Sequence, residues 1–175
     1  MEHKKGGEMK IWILLFLILA AIYDFRDFRI PNWLNAIGAF ITLIFAGICG
    51  ISISEMAAGV LIVLISCGPL FYIGCLGGGD VKLLMACAIS IGWGIPRFLI
   101  LTFICNGIYA VIFLWKRKNF HLRFIRLFQY VTQCMNNKRL MIYETGEEES
   151  MKDGIIHFSF GILAAYIICL LGGGV

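Results

Sequence analysis

Apolar stretches at about residues 11–28, 33–51, 55–73, 81–95, 98–115 and 155–171 dominate the chain, and the breaks between the first five are short. A helix needs roughly 20 predominantly apolar residues to cross a bilayer. The stretches therefore predict about six transmembrane helices and leave little chain for anything else. The expected fold class is all-α, a polytopic membrane protein forming one membrane-embedded domain over residues 1–175. Composition agrees: 60% of the 175 residues are apolar, 15% are charged and the mean hydropathy is +0.87. An average soluble domain is roughly 45–50% apolar and about 25% charged. Disorder, a coiled coil and a secreted disulfide scaffold are excluded on the same grounds.

The net charge of +4 is modest, and the basic residues gather mainly after Leu114. This suits an anionic membrane surface and gives no reason to expect nucleic acid. With six spans, the loops after the first, third and fifth share a side. That side holds eleven of the Lys and Arg residues, including Arg26, Arg29, Lys82, Lys116 and Arg123; the other holds four, Lys4, Lys5, Lys10 and Arg97. The positive-inside rule then places the odd loops in the cytoplasm, although the basic N-terminal tail argues the other way. Lys4 and Lys5 ahead of an apolar run also suggest a signal peptide, but Ile18 and Leu19 spoil the small-x-small cleavage pattern, so a retained first span is expected. Cys49, Cys67, Cys75, Cys87, Cys105, Cys134 and Cys169 lie in mostly apolar surroundings and show no paired metal-ligand spacing. Most of them read as small core residues.

An ionisable residue inside or at the edge of a span is costly and is a functional candidate by default. Asp24, Asp27, Glu55 and Asp80 qualify. Glu55 has a local explanation, since Ser52-Ile53-Ser54-Glu55 before an apolar run is a capping box with Ser52 at the N-cap. The uninterrupted run 11–23 rises only about 20 Å as a helix, less than a hydrocarbon core of roughly 30 Å, so Asp24 falls in or near the membrane. Spans two and three lie between Asp24 and Asp80, so a there-and-back crossing returns both carboxylates to one face. Asp80 follows Gly77, Gly78 and Gly79, where glycines allow a substrate or neighbouring chain to approach closely. An ordinary turn with Asp80 as N-cap of span four is the alternative. Asp24 and Asp27 are three apart and share a helix face, so pattern alone leaves both open; pairing with Arg26 or Arg29 is their structural alternative.

Asp24 followed by Ile30-Pro31-Asn32, together with Gly77-x-Gly79-Asp80-x-Lys82, resembles the type IV prepilin peptidases, intramembrane aspartyl proteases of the GxGD class. The resemblance covers both motifs and the helices around them. It implies a catalytic pair of Asp24 and Asp80, leaves Asp27 outside it, and gives Gly77, Gly79, Lys82, Pro31 and Asn32 supporting roles. The chain is most similar to the short form associated with tight-adherence (Flp-type) pili. It lacks the cysteine-bearing segment of longer relatives, so peptidase activity without methylation is expected. Presenilin and signal peptide peptidase share the Tyr23-Asp24 and GxGD pattern but are larger and carry a Pro-Ala-Leu motif absent here. One departure from the family pattern is Ile156-His157-Phe158, where a proline often precedes the aromatic. His157 reads as an interfacial histidine.

The resemblance implies an aspartic endopeptidase of the cytoplasmic membrane that removes the short basic leader from a prepilin, with no metal or other cofactor required. Two close carboxylates share a proton, so one can activate water while the other stabilises the oxyanion. Lys82 is expected to snorkel toward the headgroups. Phe120, Phe124, Leu127, Phe128, Val131 and Met135 recur at helical spacing within the 116–154 loop and predict an amphipathic helix on anionic inner-leaflet lipid. The Glu147, Glu148 and Glu149 run is expected to be solvated. A non-enzymatic transporter or pilus-assembly subunit with paired intramembrane aspartates is the reading from another class. Substrate-binding residues are not legible.

Overall fold

The computed structural model describes residues 2–116, residue 132 and residues 157–172. The expected amphipathic helix, the Glu147–Glu149 run and Cys134 lie outside the described residues. Within them, regular structure is entirely helical: α1 (Glu2–Asp27), α2 (Asn32–Ile48), α3 (Ile53–Tyr72), α4 (Gly78–Ile91), a 3-10 turn (Gly92–Gly94), α5 (Ile95–Lys116) and α6 (Phe158–Leu171). The all-α expectation holds.

The helices alternate in direction, as cross-bundle contacts at both ends show. At one end Trp12 Nε1 donates to Thr42 Oγ1 (3.3 Å), and Tyr166 OH donates to the Lys10 carbonyl (3.2 Å). Phe98 meets Tyr166 edge-on there, and the Gly92 backbone abuts Glu55. At the other end Ser159 meets Asp24, Asn35 meets Gly79, and Phe71 meets Gly78. The two ends are thus sorted as a there-and-back path requires. The end of α1, the starts of α2, α4 and α6 and the end of α3 lie together.

Helix boundaries follow local chemistry. Phe28 adopts φ +54°, a left-handed conformation that stops α1, and its N–H still closes on the Asp24 carbonyl (2.9 Å). Pro31 then sits at the N-cap of α2 with extended backbone, which its ring favours. Ser52 caps α3 by accepting from the Glu55 N–H (3.3 Å), as its sequence predicts. Asp80 differs from the N-cap alternative: Gly77 is the N-cap of α4 and Asp80 stands in the first turn. The helix begins earlier because glycines 78 and 79 are taken into it.

Two segments are long and apolar enough to cross a membrane, Ile53–Tyr72 and Gly78–Phe113, the second containing the 3-10 turn. Asn32–Ile48 and Phe158–Leu171 are apolar but shorter. By length and hydropathy alone, fewer spans stand out than the six expected. The outer surface speaks further: Ile11, Leu15, Leu19 and Ile22 on α1, Phe40 and Ile44 on α2, and Ile100, Ile104 and Ile108 on α5 are all exposed. Soluble proteins rarely expose contiguous apolar surface on this scale. Inside, Phe16, Leu17, Val63, Leu83, Leu84, Ile95, Phe98, Ile162 and Tyr166 form the core. Close approach is made at small residues, as is usual between membrane helices. A Cβ at Gly59 would lie 2.7 Å from the Ala88 carbonyl oxygen, so α3 and α4 touch backbone to backbone. Cys67, Cys87 and Cys169 are buried as expected, whereas Cys75 is exposed.

Candidate active site

The site is assembled where α1 ends and α4 and α6 begin. Asp24 stands one turn before the end of α1 and is only 7% exposed, whereas Asp27, three residues on, is exposed. The sequence left the two open; burial separates them. Asp80 is partly buried in the first turn of α4, at the same end of the bundle as Asp24. The Asp80 carboxylate also folds back over its own N-cap residue, Gly77. A Cβ at Gly77 would lie 2.9 Å from Asp80 Oδ2, so this fold-back depends on glycine.

The segment between α1 and α2 holds the glycine-rich turn in place. Asn35 Nδ2 donates to the Gly79 carbonyl (3.1 Å), and Gly79 packs on Ile30, whose Cβ would be 3.3 Å from a Cβ at position 79. Lys82 Nζ donates to Asn32 Oδ1 (2.7 Å), joining the two sequence motifs directly. Lys82 is exposed but tethered, so the snorkelling expected of it is constrained by Asn32. Asn35 was not singled out in the sequence, because a single polar residue inside an apolar stretch carries no signal of its partner. Pro31, partly buried, sets the turn that delivers Asn32.

The last helix brings two further side chains to Asp24. Ser159 Oγ donates to Asp24 Oδ2 at 2.5 Å, and His157 Nδ1 lies 3.6 Å from the same oxygen. His157, at the N-cap of this helix and so at the end of the bundle, is 8% exposed. Its ring is enclosed by Phe28 (centroid separation 4.9 Å), Phe25 (5.6 Å) and Phe160 (5.8 Å). Ser159 was missed altogether, since 135 residues separate it from Asp24. A cavity lined by Arg97, Ile100, Leu101, Ile168, Cys169 and Gly172 opens at the opposite end of the bundle and has no part in this site.

A model of the type IV leader peptidase family matches residues 11–111, which include Asp24 and the whole Gly77–Lys82 segment. The chain belongs to that family. The match covers more than half of the peptidase and stops before α6, the helix that carries His157 and Ser159. Family membership and the apolar helices together make it a helical membrane protein and a protease of leader-peptide type. Searches of curated proteins and of solved structures each returned no match.

Proposed function

We propose that this leader peptidase is an intramembrane aspartic endopeptidase that removes the basic leader of a type IV prepilin of the Flp type, with Asp24 and Asp80 as its dyad. The observation that carries the reading is the placing of two carboxylates from different helices at one end of the bundle, one buried and the other on a glycine-rich turn tied to the segment that follows α1. Paired carboxylates share one proton. The ionised member takes a proton from water as the water oxygen bonds to the scissile carbonyl carbon. The protonated member donates toward the developing oxyanion. Collapse breaks the C–N bond, with a proton passing from the dyad to the leaving amine. A site at the end of a helical bundle suits a substrate whose apolar helix stays in lipid while its polar leader remains outside. The Lys and Arg distribution supports the cytoplasmic face as the side of cleavage.

Co-expression with an Flp-type prepilin, followed by the gel shift of leader loss at matched membrane abundance, tests the reading. Asp24→Asn and Asp80→Asn are each expected to lower cleavage by about 10²–10⁴-fold or more, the size of an acid–base contribution. Asp27→Asn should cleave normally, because Asp27 is exposed. Cleavage surviving loss of both Asp24 and Asp80 overturns the aspartyl mechanism.

A further inference from the structure

Asp24 and Asp80 are not equivalent in their surroundings. The Asp80 carboxylate lies over its own N-cap residue, Gly77. Asp24 instead accepts from a fully buried hydroxyl, Ser159 Oγ, at 2.5 Å. Beside the same oxygen sits His157 Nδ1, nine-tenths buried and without a hydrogen-bond partner among the described residues. At 3.6 Å it is too far for a hydrogen bond but within ion-pair reach when protonated.

We propose that Ser159 and His157 are positioning residues that hold Asp24 Oδ2 as the ionised, accepting oxygen, and thereby leave the shared proton of the dyad on Asp80. Asp24 then activates water and Asp80 meets the oxyanion. The assignment rests on the dyad reading and adds a direction to it. Ser159 fixes the Asp24 carboxylate through Oδ2, leaving Oδ1 as the oxygen available to water. The Phe25, Phe28 and Phe160 rings pack around the His157 imidazole, whose Nδ1 lies beside Asp24 Oδ2.

Among the described residues, the other titratable groups near this end have other partners or are exposed. On α4, Lys82 is committed to Asn32, and Asp80 is the dyad partner. On α1 and the following turn, Arg26, Asp27 and Arg29 are exposed, and Tyr23 meets Trp33 edge-on. From α5, Tyr109 reaches this region through its contact with the Phe160 ring. On α6 itself, Tyr166 is bonded to Lys10 at the opposite end, where Cys169 also lies.

The test has two arms. In the first, cleavage of an Flp-type prepilin by the full chain is followed across pH for the native protein, Ser159→Ala, Ser159→Thr and His157→Phe. Loss of a donor to the carboxylate disfavours its ionised form. Ser159→Ala and His157→Phe should therefore each move the acid limb to higher pH, with kcat reduced and KM unchanged. Ser159→Thr keeps the hydroxyl and should restore the native profile. His157→Phe keeps a ring among its three aromatic neighbours, which guards against misfolding. The second arm needs no activity: infrared titration of carbon-13-labelled aspartate in an Asp80→Asn background, with the Asp24 band identified by its loss in Asp24→Asn. Adding Ser159→Ala should raise the midpoint of that band, and adding Ser159→Thr should not. Superimposed profiles and an unmoved band overturn the positioning role. A band that shifts in a chain that never cleaves prepilin leaves the contact standing and overturns the dyad reading instead.

Discussion

Each glycine before Asp80 meets a different neighbour, so substitutions there separate packing from chemistry. A Cβ at Gly78 would touch the ring of Phe71, which is exposed and able to swing away. A Cβ at Gly79 would press on Ile30 at 3.3 Å, between the two motifs. Gly77 is the position where the contact is the Asp80 carboxylate itself, at 2.9 Å. Gly77→Ala is expected to displace that carboxylate and leave the helices packed. Misplacing a reacting group by about 1 Å costs on the order of 10²-fold, so the peptidase rate should drop by about 10–100-fold. The thermal midpoint in detergent should stay near native, and Gly78→Ala should cleave nearly normally. Equal rates for Gly77→Ala and the native chain would remove the fold-back of Asp80 from the mechanism. The sequence displayed the glycines, Asp24 and Asp80 because those residue types are conspicuous in apolar surroundings. Ser159 and Asn35 carried no such mark: each is a small polar residue whose meaning comes from a partner far along the chain. His157 stands out as a departure from the family pattern, yet its contacts are with three phenylalanines, two of them far from it in sequence.

Element boundaries were legible to the extent that local chemistry sets them. Ser52 caps α3 as its motif predicts, and Pro31 opens α2. The start of α1 was placed nine residues late, since hydropathy sees only the apolar run from Ile11, while Glu2, Lys4, Lys5, Glu8 and Lys10 are good helix formers that extend the helix outward. Which faces of the helices meet was not legible, because an all-round apolar helix has no stripe to read. Small residues decide it. The α3–α4 contact that carries Asp80 is made where Gly59 lets the Ala88 carbonyl approach. Gly59→Ala is therefore expected to push these helices apart and cost about 1–3 kcal/mol, the usual penalty for overpacking. Gly107, mid-way along α5, has open space around it, and Ala there should be neutral or stabilising by up to about 1 kcal/mol. Unfolding in mild detergent measures both, and the contact is refuted if Gly59→Ala is no less stable than Gly107→Ala.

At the scale of the molecule, the parity of the path between Asp24 and Asp80 was the most robust sequence deduction, because it needs only that α2 and α3 go out and return. The contacts at both ends of the bundle agree with it. Orientation in the membrane rests on the Lys and Arg count, and the chain carries its own reporters for it. Cys75, exposed in the turn between α3 and α4, lies at the Asp24 end; Cys49, partly exposed at the end of α2, lies at the other. The α3 helix between them has 20 residues, which rise about 30 Å, the thickness of a hydrocarbon core. Chains retaining only one of these cysteines can be labelled with a membrane-impermeant maleimide in intact cells and in inverted vesicles. Cys75 should react in inverted vesicles and be protected in intact cells, and Cys49 should show the reverse. Exchange of the two patterns would put the aspartates on the outer face and overturn cleavage at the cytoplasmic side. Reaction of both from one side would mean that α3 does not cross the membrane, and the there-and-back path that brings Asp24 and Asp80 together would lose its basis in the bilayer.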